Sequence, residues 1–256
     1  MTDIQRGSVL KRISALLLDL ILLACISVGA IYLVSKIVNY DSHIDNLQAK
    51  YQYYEETYDV RFNITQEELD NLTEEERAHY DEVEEIIKAD TKFTKEYNLV
   101  VNLTLIMVTI GLLVSILITD FVIPLLFKNG QTVGKKVFGL CLVKKNSVRM
   151  KNIQLFIRTL LGKFAVELMI PIYIIIMFYF GLMGILGLII LAGLGVAQLL
   201  LLIFTQYRTV IHDLLSQTVV ADMSSQMIFD TEEDLIEFVK KNHEKTVNNS
   251  IYKLGS

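Results

Sequence analysis

Long apolar runs alternate with strongly charged segments along the chain, and this alternation predicts its organisation. Residues 13–38 and 98–127 are each apolar and long enough to cross a bilayer as a helix, for which about 20 residues suffice. Residues 153–204 carry only three charged side chains. This apolar region of 52 residues is too long for one span and has the length of two. The pattern therefore predicts four transmembrane helices.

The 152–204 region is expected to begin with an amphipathic segment, continue as the third span and return as the fourth. Gly181, Gly184 and Gly187 mark the turn between these two spans. Pro171 predicts a kink in the third helix, because proline removes a backbone hydrogen-bond donor. A single bent helix followed by a re-entrant segment is the alternative interpretation.

The charges are segregated in a way that orients the predicted helices. Residues 41–96 contain 17 acidic and 6 basic side chains, whereas residues 128–151 contain seven basic side chains and no acidic one. Short loops rich in lysine and arginine remain in the cytoplasm. The sequence therefore predicts a multi-pass protein of the cell (plasma) membrane with both termini in the cytoplasm and residues 39–97 outside.

The acidic segment is expected to fold rather than to form a flexible loop, because residues 39–97 contain no glycine and no proline. Thr65 with Glu68, and Thr73 with Glu76, have the spacing of capping boxes that begin helices. The tyrosines at positions 51, 53, 54, 58, 80 and 97 supply larger apolar surfaces. We expect a small helical extracytoplasmic domain whose last helix continues into the second span.

Two short apolar segments predict a small sheet at the cytoplasmic face. Residues 137–143 are apolar and rich in strand-forming side chains, and residues 218–220 are similar. The predicted fold class is an all-α membrane protein with four transmembrane helices, a helical extracytoplasmic insertion and this small β element. The predicted division is, in order, N-terminus and first span (1–38), acidic domain (39–97), second span (98–127), basic loop with short strands (128–151), third and fourth spans (152–204), and cytoplasmic C-terminal segment and tail (205–256).

Ionisable side chains lie within the predicted spans, where each costs about 2.5–3.5 kcal/mol on insertion scales and normally needs a partner or water. Arg12 and Asp19 are close to two helical turns apart and share one helix face. At about 1.5 Å per residue, Asp19 and Asp120 both lie roughly 10 Å into the inner half of the membrane. Lys163 and Glu167 are expected to form an i,i+4 pair. The predicted polar layer comprises Arg12, Asp19, Asp120, Arg158, Lys163, Glu167, Gln198 and Asp213.

Two interpretations of this polar layer remain open from the residues alone. Ionisable groups inside a membrane commonly mark an ion or proton pathway. Alternatively, the basic and acidic members neutralise one another and lock the helices by buried ion pairs. Arg12 is predicted to lie within salt-bridge or water-bridged reach of Asp213 or Asp19, although an arginine at this depth can also extend to lipid phosphates.

The sequence contains no constellation that predicts enzymatic, redox, metal-binding or nucleic-acid-binding chemistry. Residues 130–136 superficially resemble a phosphate-binding loop, but the spacing differs, and contact with lipid headgroups is the preferred interpretation. His212 and Asp213 resemble half of a catalytic dyad without a nucleophile motif. Cys25 and Cys141 suggest neither a disulfide nor a metal site. We therefore predict a non-enzymatic protein with no cofactor.

Three stretches in order are similar to motifs of one family of bacterial membrane proteins, the RDD family. Residues 12–19 resemble its opening arginine–aspartate helix, and residues 130–140, which begin Gly-Gln-Thr-Val-Gly-Lys, resemble its glycine-rich loop. Residues 208–220, with His-Asp-Leu-Leu and Thr-Val-Val, resemble its closing segment. The order and spacing fit across residues 6–222 apart from the acidic segment.

The resemblance implies that Arg12, Asp19 and Asp213 are the signature arginine and two aspartates of the family. It also implies transport of an unidentified ligand, and some members are described as cation/proton antiporters. The chain departs from the family pattern at Ser216 and Gln217, where alanine and glycine are usual, and in its long acidic segment.

Two functional hypotheses follow. The first is a transport component in the lipid bilayer for a small solute or cation, proton-coupled through the intramembrane carboxylates, with a homo-oligomer completing the path. The second is a non-enzymatic accessory or assembly subunit that binds a membrane-protein partner through its extracytoplasmic domain.

Overall fold

The computed structural model describes residues 4–127, 129–179, 184–207 and 209–254. Its elements are, in chain order, α1 (Val9–Ile37), α2 (Tyr40–Tyr58), α3 (Gln66–Asp70), α4 (Glu74–Ala89), α5 (Thr91–Leu117), π1 (Ile118–Val122), α6 (Ile123–Leu126), α7 (Val133–Val137), β1 (Leu140–Lys144), α8 (Asn152–Ile157), π2 (Arg158–Met169), α9 (Ile170–Tyr179), α10 (Ile185–Phe204), α11 (Ile211–Ser216), β2 (Thr218–Asp222) and α12 (Glu232–Leu254). The chain divides into two compact units, an insertion unit (residues 28–112) and a main unit (residues 1–27 and 113–256).

Four helical stretches in the described part of the chain are long and apolar enough to cross a membrane, which confirms the predicted number of spans. They are Val9–Ile37, Thr91–Leu126, Asn152–Tyr179 and Ile185–Phe204. The second begins within the acidic segment and continues without a break, as predicted. Of the glycines assigned to the turn before the fourth span, Gly181 lies outside the described residues and Gly184 directly precedes α10. Gly187 is buried inside α10, so its assignment to the turn is wrong.

The insertion unit has a hydrophobic core of its own. Leu47 on α2, Val83 and Ile87 on α4, and Phe93 on α5 are buried together, with tyrosines packed around them. Tyr53 is the exception among the predicted tyrosines, because it is 63% exposed. The acidic segment is therefore a folded helical unit, as the absence of glycine and proline suggested.

Both predicted capping boxes are present in this unit. The backbone N–H of Thr65 donates to the Glu68 carboxylate at 2.7 Å, and the N–H of Glu68 donates back to the Thr65 hydroxyl at 3.2 Å. Thr73 and Glu76 make the same reciprocal bonds, at 2.9 and 3.3 Å. These bonds satisfy N–H groups that have no partner within the helix, so α3 and α4 begin where the local sequence specifies.

The main unit contains the small sheet that was predicted from residues 137–143 and 218–220. Strands β1 and β2 pair antiparallel, with Cys141 opposite Ala221. The first strand begins only at Leu140, because the residues before it form α7 and a turn. The sheet brings the chain after the second span next to the chain after the fourth.

A long π-helical segment interrupts the third span. Residues 158–169 form π2, directly before the helix that contains Pro171. Hydrogen bonds from residue i to i+5 are rare and usually occur as single turns at functional sites. Proline cannot donate a backbone hydrogen bond, so the departure from α-helical geometry lies in the turns preceding Pro171. Within π2, Arg158 and Gly162 are buried.

Candidate functional site

A cavity of about 560 Å³ lies in the main unit and is lined by residues of α1, α7, β1, π2, α10, α11 and β2. Seven of the predicted polar residues line it, namely Arg12, Asp19, Arg158, Lys163, Glu167, Gln198 and Asp213. The eighth, Asp120, is 4% exposed and forms an ion pair with Lys163. The structure therefore brings the predicted polar layer together around one cavity.

Asp19 connects α1 to α7. The hydroxyl of Thr132 donates to Asp19 Oδ2 at 2.5 Å, and the backbone N–H of Gly134 donates to Oδ1 at 2.7 Å. Lys135 Nζ lies 4.0 Å from Oδ2. A β-carbon at Gly134 would overlap the carbonyl oxygen of Ala15, so glycine permits this close approach of the two helices.

Arg158 and Asp213 form a fully buried ion pair, each with a side chain that is 1% exposed. Arg158 Nε and Nη2 both donate to Asp213 Oδ1, at 3.0 and 2.9 Å. The pair joins π2 to α11, whose backbones also approach closely because Gly162 leaves space for His212. Hydrogen bonds between ionised partners are about twice as strong as neutral ones, which makes this a firm connection.

Lys163 pairs with Asp120 in the structure, so the predicted i,i+4 pair of Lys163 with Glu167 is wrong. Asp120 also accepts a hydrogen bond from the hydroxyl of Thr119 at 2.9 Å, and its carbonyl oxygen accepts one from the hydroxyl of Thr159 at 2.8 Å. The second and third spans are thereby connected through one buried carboxylate. The i,i+4 rule applies to α-helices, whereas both residues lie in the π-helical segment.

Glu167 contacts the start of α11 instead. Its Oε1 accepts the backbone N–H of His212 at 3.1 Å, and its Oε2 lies 2.6 Å from His212 Nδ1. Gln198 on α10 accepts the backbone N–H of Ile211 at 3.4 Å through Oε1. Two polar side chains from different spans therefore hold the first turn of α11 at the cavity.

Two basic groups outside the spans, Lys135 and His212, have lowered pKa values. Burial is the largest cause for Lys135, and the positive charges of Lys163 and Arg158 add to it, which lowers its pKa to about 7. Burial, followed by the charges of Arg158 and Lys163, also lowers the pKa of His212 well below its ordinary value. The imidazole is therefore neutral at pH 7 and can donate from Nδ1 to the carboxylate of Glu167.

Arg12 lines the same cavity as Asp19 and Asp213. The carboxylate of Asp213 binds Arg158, and the start of α1 is tied to the C-terminal segment by Lys11, whose Nζ donates to Asp222 Oδ2 at 2.6 Å. This bond is the main cause that lowers the pKa of Asp222 to about 2. The pairing of Arg12 with one of the two signature aspartates stays a prediction.

The geometry assembles residues of the three sequence motifs, because Asp19, Thr132 and Asp213 come from the first, second and third motif. A model of the RDD family matches residues 6–217 of the chain. The chain belongs to the RDD family. No curated protein and no solved structure matches the chain.

The predicted set omitted three contributors to the site of this RDD-family protein. Thr132 and Lys135 belong to the glycine-rich motif, and His212 belongs to the closing motif. The motifs could therefore have identified these residues, whereas the hydropathy pattern could not. Within the glycine-rich loop Lys135 is 8% exposed and faces Asp19, and contact of this loop with lipid headgroups stays a prediction. Its neighbour Lys136 is exposed, with Nζ 3.7 Å from the centroid of the Phe127 ring. Of the closing motif, Arg208 lies outside the described residues.

Proposed function

We propose that this RDD-family protein is a transport component for a small solute or ion, coupled to protons through carboxyl groups at the main-unit cavity. The observation that supports this function is the cavity itself. It gathers ionisable side chains of both signs, from two membrane-crossing helices and from α7 and α11, around a volume of about 560 Å³. Ligand pockets typically have volumes of about 300–1,000 Å³.

The carboxylates at the cavity do not have equal roles in this proposal. Asp19 accepts a backbone N–H at the start of α7, Asp120 pairs with Lys163, and Asp213 pairs with Arg158. These three contacts lock helices together, as the structural interpretation of the polar layer requires. Glu167 differs because its partner, His212, is a titratable group outside the span rather than a fixed cation. Carboxyl and imidazole groups in series are the residue types of intramembrane proton relays.

In the proposed orientation, both termini and the basic 128–151 loop lie in the cytoplasm and the acidic segment lies outside the cell membrane. The charge asymmetry between these two segments supports it. With Cys25 and Cys141 replaced by alanine, Glu75→Cys should react with a membrane-impermeant maleimide in intact cells. Lys145→Cys should react only after permeabilisation, which also controls for its reactivity. Labelling in the reverse order, or of both sites in intact cells, would contradict the orientation.

The variant Glu167→Gln should abolish proton-coupled flux in liposomes that contain the purified protein. The amide cannot carry a proton, yet its oxygen can still accept the His212 backbone N–H, so folding is expected to persist. The measurement is the lumenal pH, followed with an entrapped dye under outward gradients of sodium, potassium or phosphate. Wild-type protein is expected to change this pH under at least one gradient.

The matched control for that experiment is Glu75→Gln, an exposed carboxyl on the insertion unit whose replacement should leave flux unchanged. Unfolding temperatures in detergent establish that both variants are folded. If wild-type protein moves no protons under any of the three gradients, or if Glu167→Gln retains full flux, the proposed function is overturned.

The second candidate function is an accessory or assembly subunit. The observation that favours it is the insertion unit, which has its own core and an acidic surface instead of a short connector. Such a preformed body suits recognition of a partner protein. Purification from native membranes separates the two candidates, because a stoichiometric partner without flux supports the second and flux from the chain alone supports the first.

A further inference from the structure

One hydrogen-bond donor of the buried Arg158 guanidinium, Nη1, indicates that the cavity binds a ligand. Nε and Nη2 bind Asp213, whereas Nη1 has no hydrogen-bond partner among the described residues. Arg158 is 1% exposed and lines the cavity. A buried donor without a partner loses its hydration without compensation, and the loss is larger for a charged group. An oxygen acceptor in the cavity would supply the missing bond.

Basic side chains outnumber acidic ones by four to three in the cavity lining around this donor. Arg12, Lys135 and Lys163 line the cavity together with Arg158. The charges of Lys163 and Arg158 lower the pKa values of both Lys135 and His212, and the opposing effect of Asp19 and Asp120 on the pKa of Lys135 is smaller. The cavity therefore disfavours a further positive charge and favours a negative one.

The three carboxylates that line the cavity already accept hydrogen bonds within the protein, and none of them accepts one from Arg158 Nη1. Asp213 accepts two bonds from Arg158, and Asp19 accepts two bonds from the start of α7. Glu167 contacts the backbone and ring of His212. The acceptor for Arg158 Nη1 is then best supplied from outside the chain.

The rim of the cavity is apolar, in contrast to its charged interior. Val9, Ile13 and Leu16 of α1, and Leu202 and Ile203 of α10, line it and are all exposed. These side chains belong to two membrane-crossing helices, so they are available to the hydrocarbon of a bilayer. The cavity thus combines charged donors with an apolar margin.

We propose that the main-unit cavity binds an anionic oxygen group, a carboxylate or a phosphate, through Arg158 Nη1 and the ammonium of Lys135. An apolar portion of the same ligand would lie against α1 and α10. The group could belong to a membrane lipid headgroup or to a free anion. This inference rests on the proposed function in so far as it assigns a ligand class to the same cavity.

Anion binding would also provide the coupling to protons. Lys135 is surrounded by the charges of Lys163, Arg158, Asp19 and Asp120, and its pKa of about 7 lies near ambient pH. A bound anion favours the charged ammonium, so binding above this pH takes up a proton. Affinity is therefore expected to be constant below about pH 7 and to fall by up to about tenfold per pH unit above it.

The test measures binding to the full chain in neutral detergent by calorimetry. The probes are octanoate, which combines a carboxylate with an apolar chain, inorganic phosphate, and phosphatidic acid in mixed micelles with phosphatidylcholine as the zwitterionic control. Lys135→Met should weaken binding by about ten- to a hundredfold at pH 6.5, the range expected for loss of a charge-assisted hydrogen bond. It should also remove the fall in octanoate affinity above pH 7.

Arg158→Lys keeps the charge but removes the planar donor arrangement, and it should also weaken binding. Because that change disturbs the pair with Asp213, Lys135→Met is the decisive variant, and the exposed Lys145→Met is its matched control. Binding of phosphatidic acid without phosphate would assign the group to a lipid, and binding of phosphate alone would show that a free anion suffices. No binding of any anionic probe above the zwitterionic control, or binding unaffected by Lys135→Met, overturns the inference.

The results of the binding experiment and of the flux experiment can be told apart. Anion binding without flux would contradict the proposed transport while leaving the ligand class intact. Flux under a sodium or potassium gradient without anion binding would retain transport and reject the anionic ligand.

Discussion

The variant Asp213→Ala is expected to destabilise the folded protein by about 3–5 kcal/mol, because it leaves a buried guanidinium without its counter-charge. Both members of the Arg158–Asp213 pair are 1% exposed, so solvent cannot replace the lost partner. The pair also connects π2 to α11, and its loss should loosen the wall of the cavity. Thermal and chemical unfolding in detergent micelles measures the effect.

The matched control for this prediction is Asp230→Ala, which removes a partner of Arg149 from an exposed ion pair in the same unit. Exposed pairs contribute about 0–1 kcal/mol, so the control should be nearly neutral. Adding Arg158→Met to Asp213→Ala should recover part of the loss, because the unpaired charge is then absent. A small effect of Asp213→Ala, or strictly additive losses in the double variant, would show that the pair is not what holds α11.

Features that depend only on neighbouring residues could be predicted from the local sequence. The capping boxes at Thr73 and Thr65 need only residues three positions apart, and both formed as predicted. The spans follow from runs of apolar side chains, and charged residues within those runs had to find partners near the same depth. The polar layer was therefore predictable as a set.

The partners within that set were not predictable, because they depend on contacts between distant segments. Asp213 and Arg158 are 55 positions apart, and Asp120 and Lys163 are 43 apart. The expected pairing of Lys163 with its neighbour four residues on assumed α-helical spacing. The π-helical segment removes that spacing, and no residue pattern in the sequence signals a π-helix of 12 residues.

The structure also differs from the prediction in the start of β1 and in the position of Lys135. The apolar run before Leu140 suits a helix as well as a strand, and Gly139, with φ of 65°, makes the turn that separates α7 from β1. Lys135 was expected at the membrane surface, as lysine usually is. The contact of α7 with α1 carries it inward, and that contact depends on Gly134.

The variant Gly134→Ala is accordingly expected to destabilise the main unit strongly. Its β-carbon would overlap the carbonyl oxygen of Ala15 and approach Asp19 Cγ to 2.9 Å, and neither backbone can yield easily. Overpacking costs about 1–3 kcal/mol. Separating the helices also breaks the Gly134 N–H and Thr132 hydroxyl bonds to Asp19, and a bond to a charged group contributes about 1.5–3 kcal/mol. The sum predicts a loss of about 3 kcal/mol or more.

The controls for this variant are Gly193→Ala and Gly195→Ala on α10, where an added β-carbon meets no atom within 4 Å. Alanine is favoured over glycine inside a helix by about 1 kcal/mol, so these two variants should be neutral or slightly stabilising in the same unfolding measurement. If Gly134→Ala were as stable as they are, α1 and α7 could not be in the contact described. The capping of α7 by Asp19, and the inward position of Lys135 on which anion binding depends, would then have to be abandoned together.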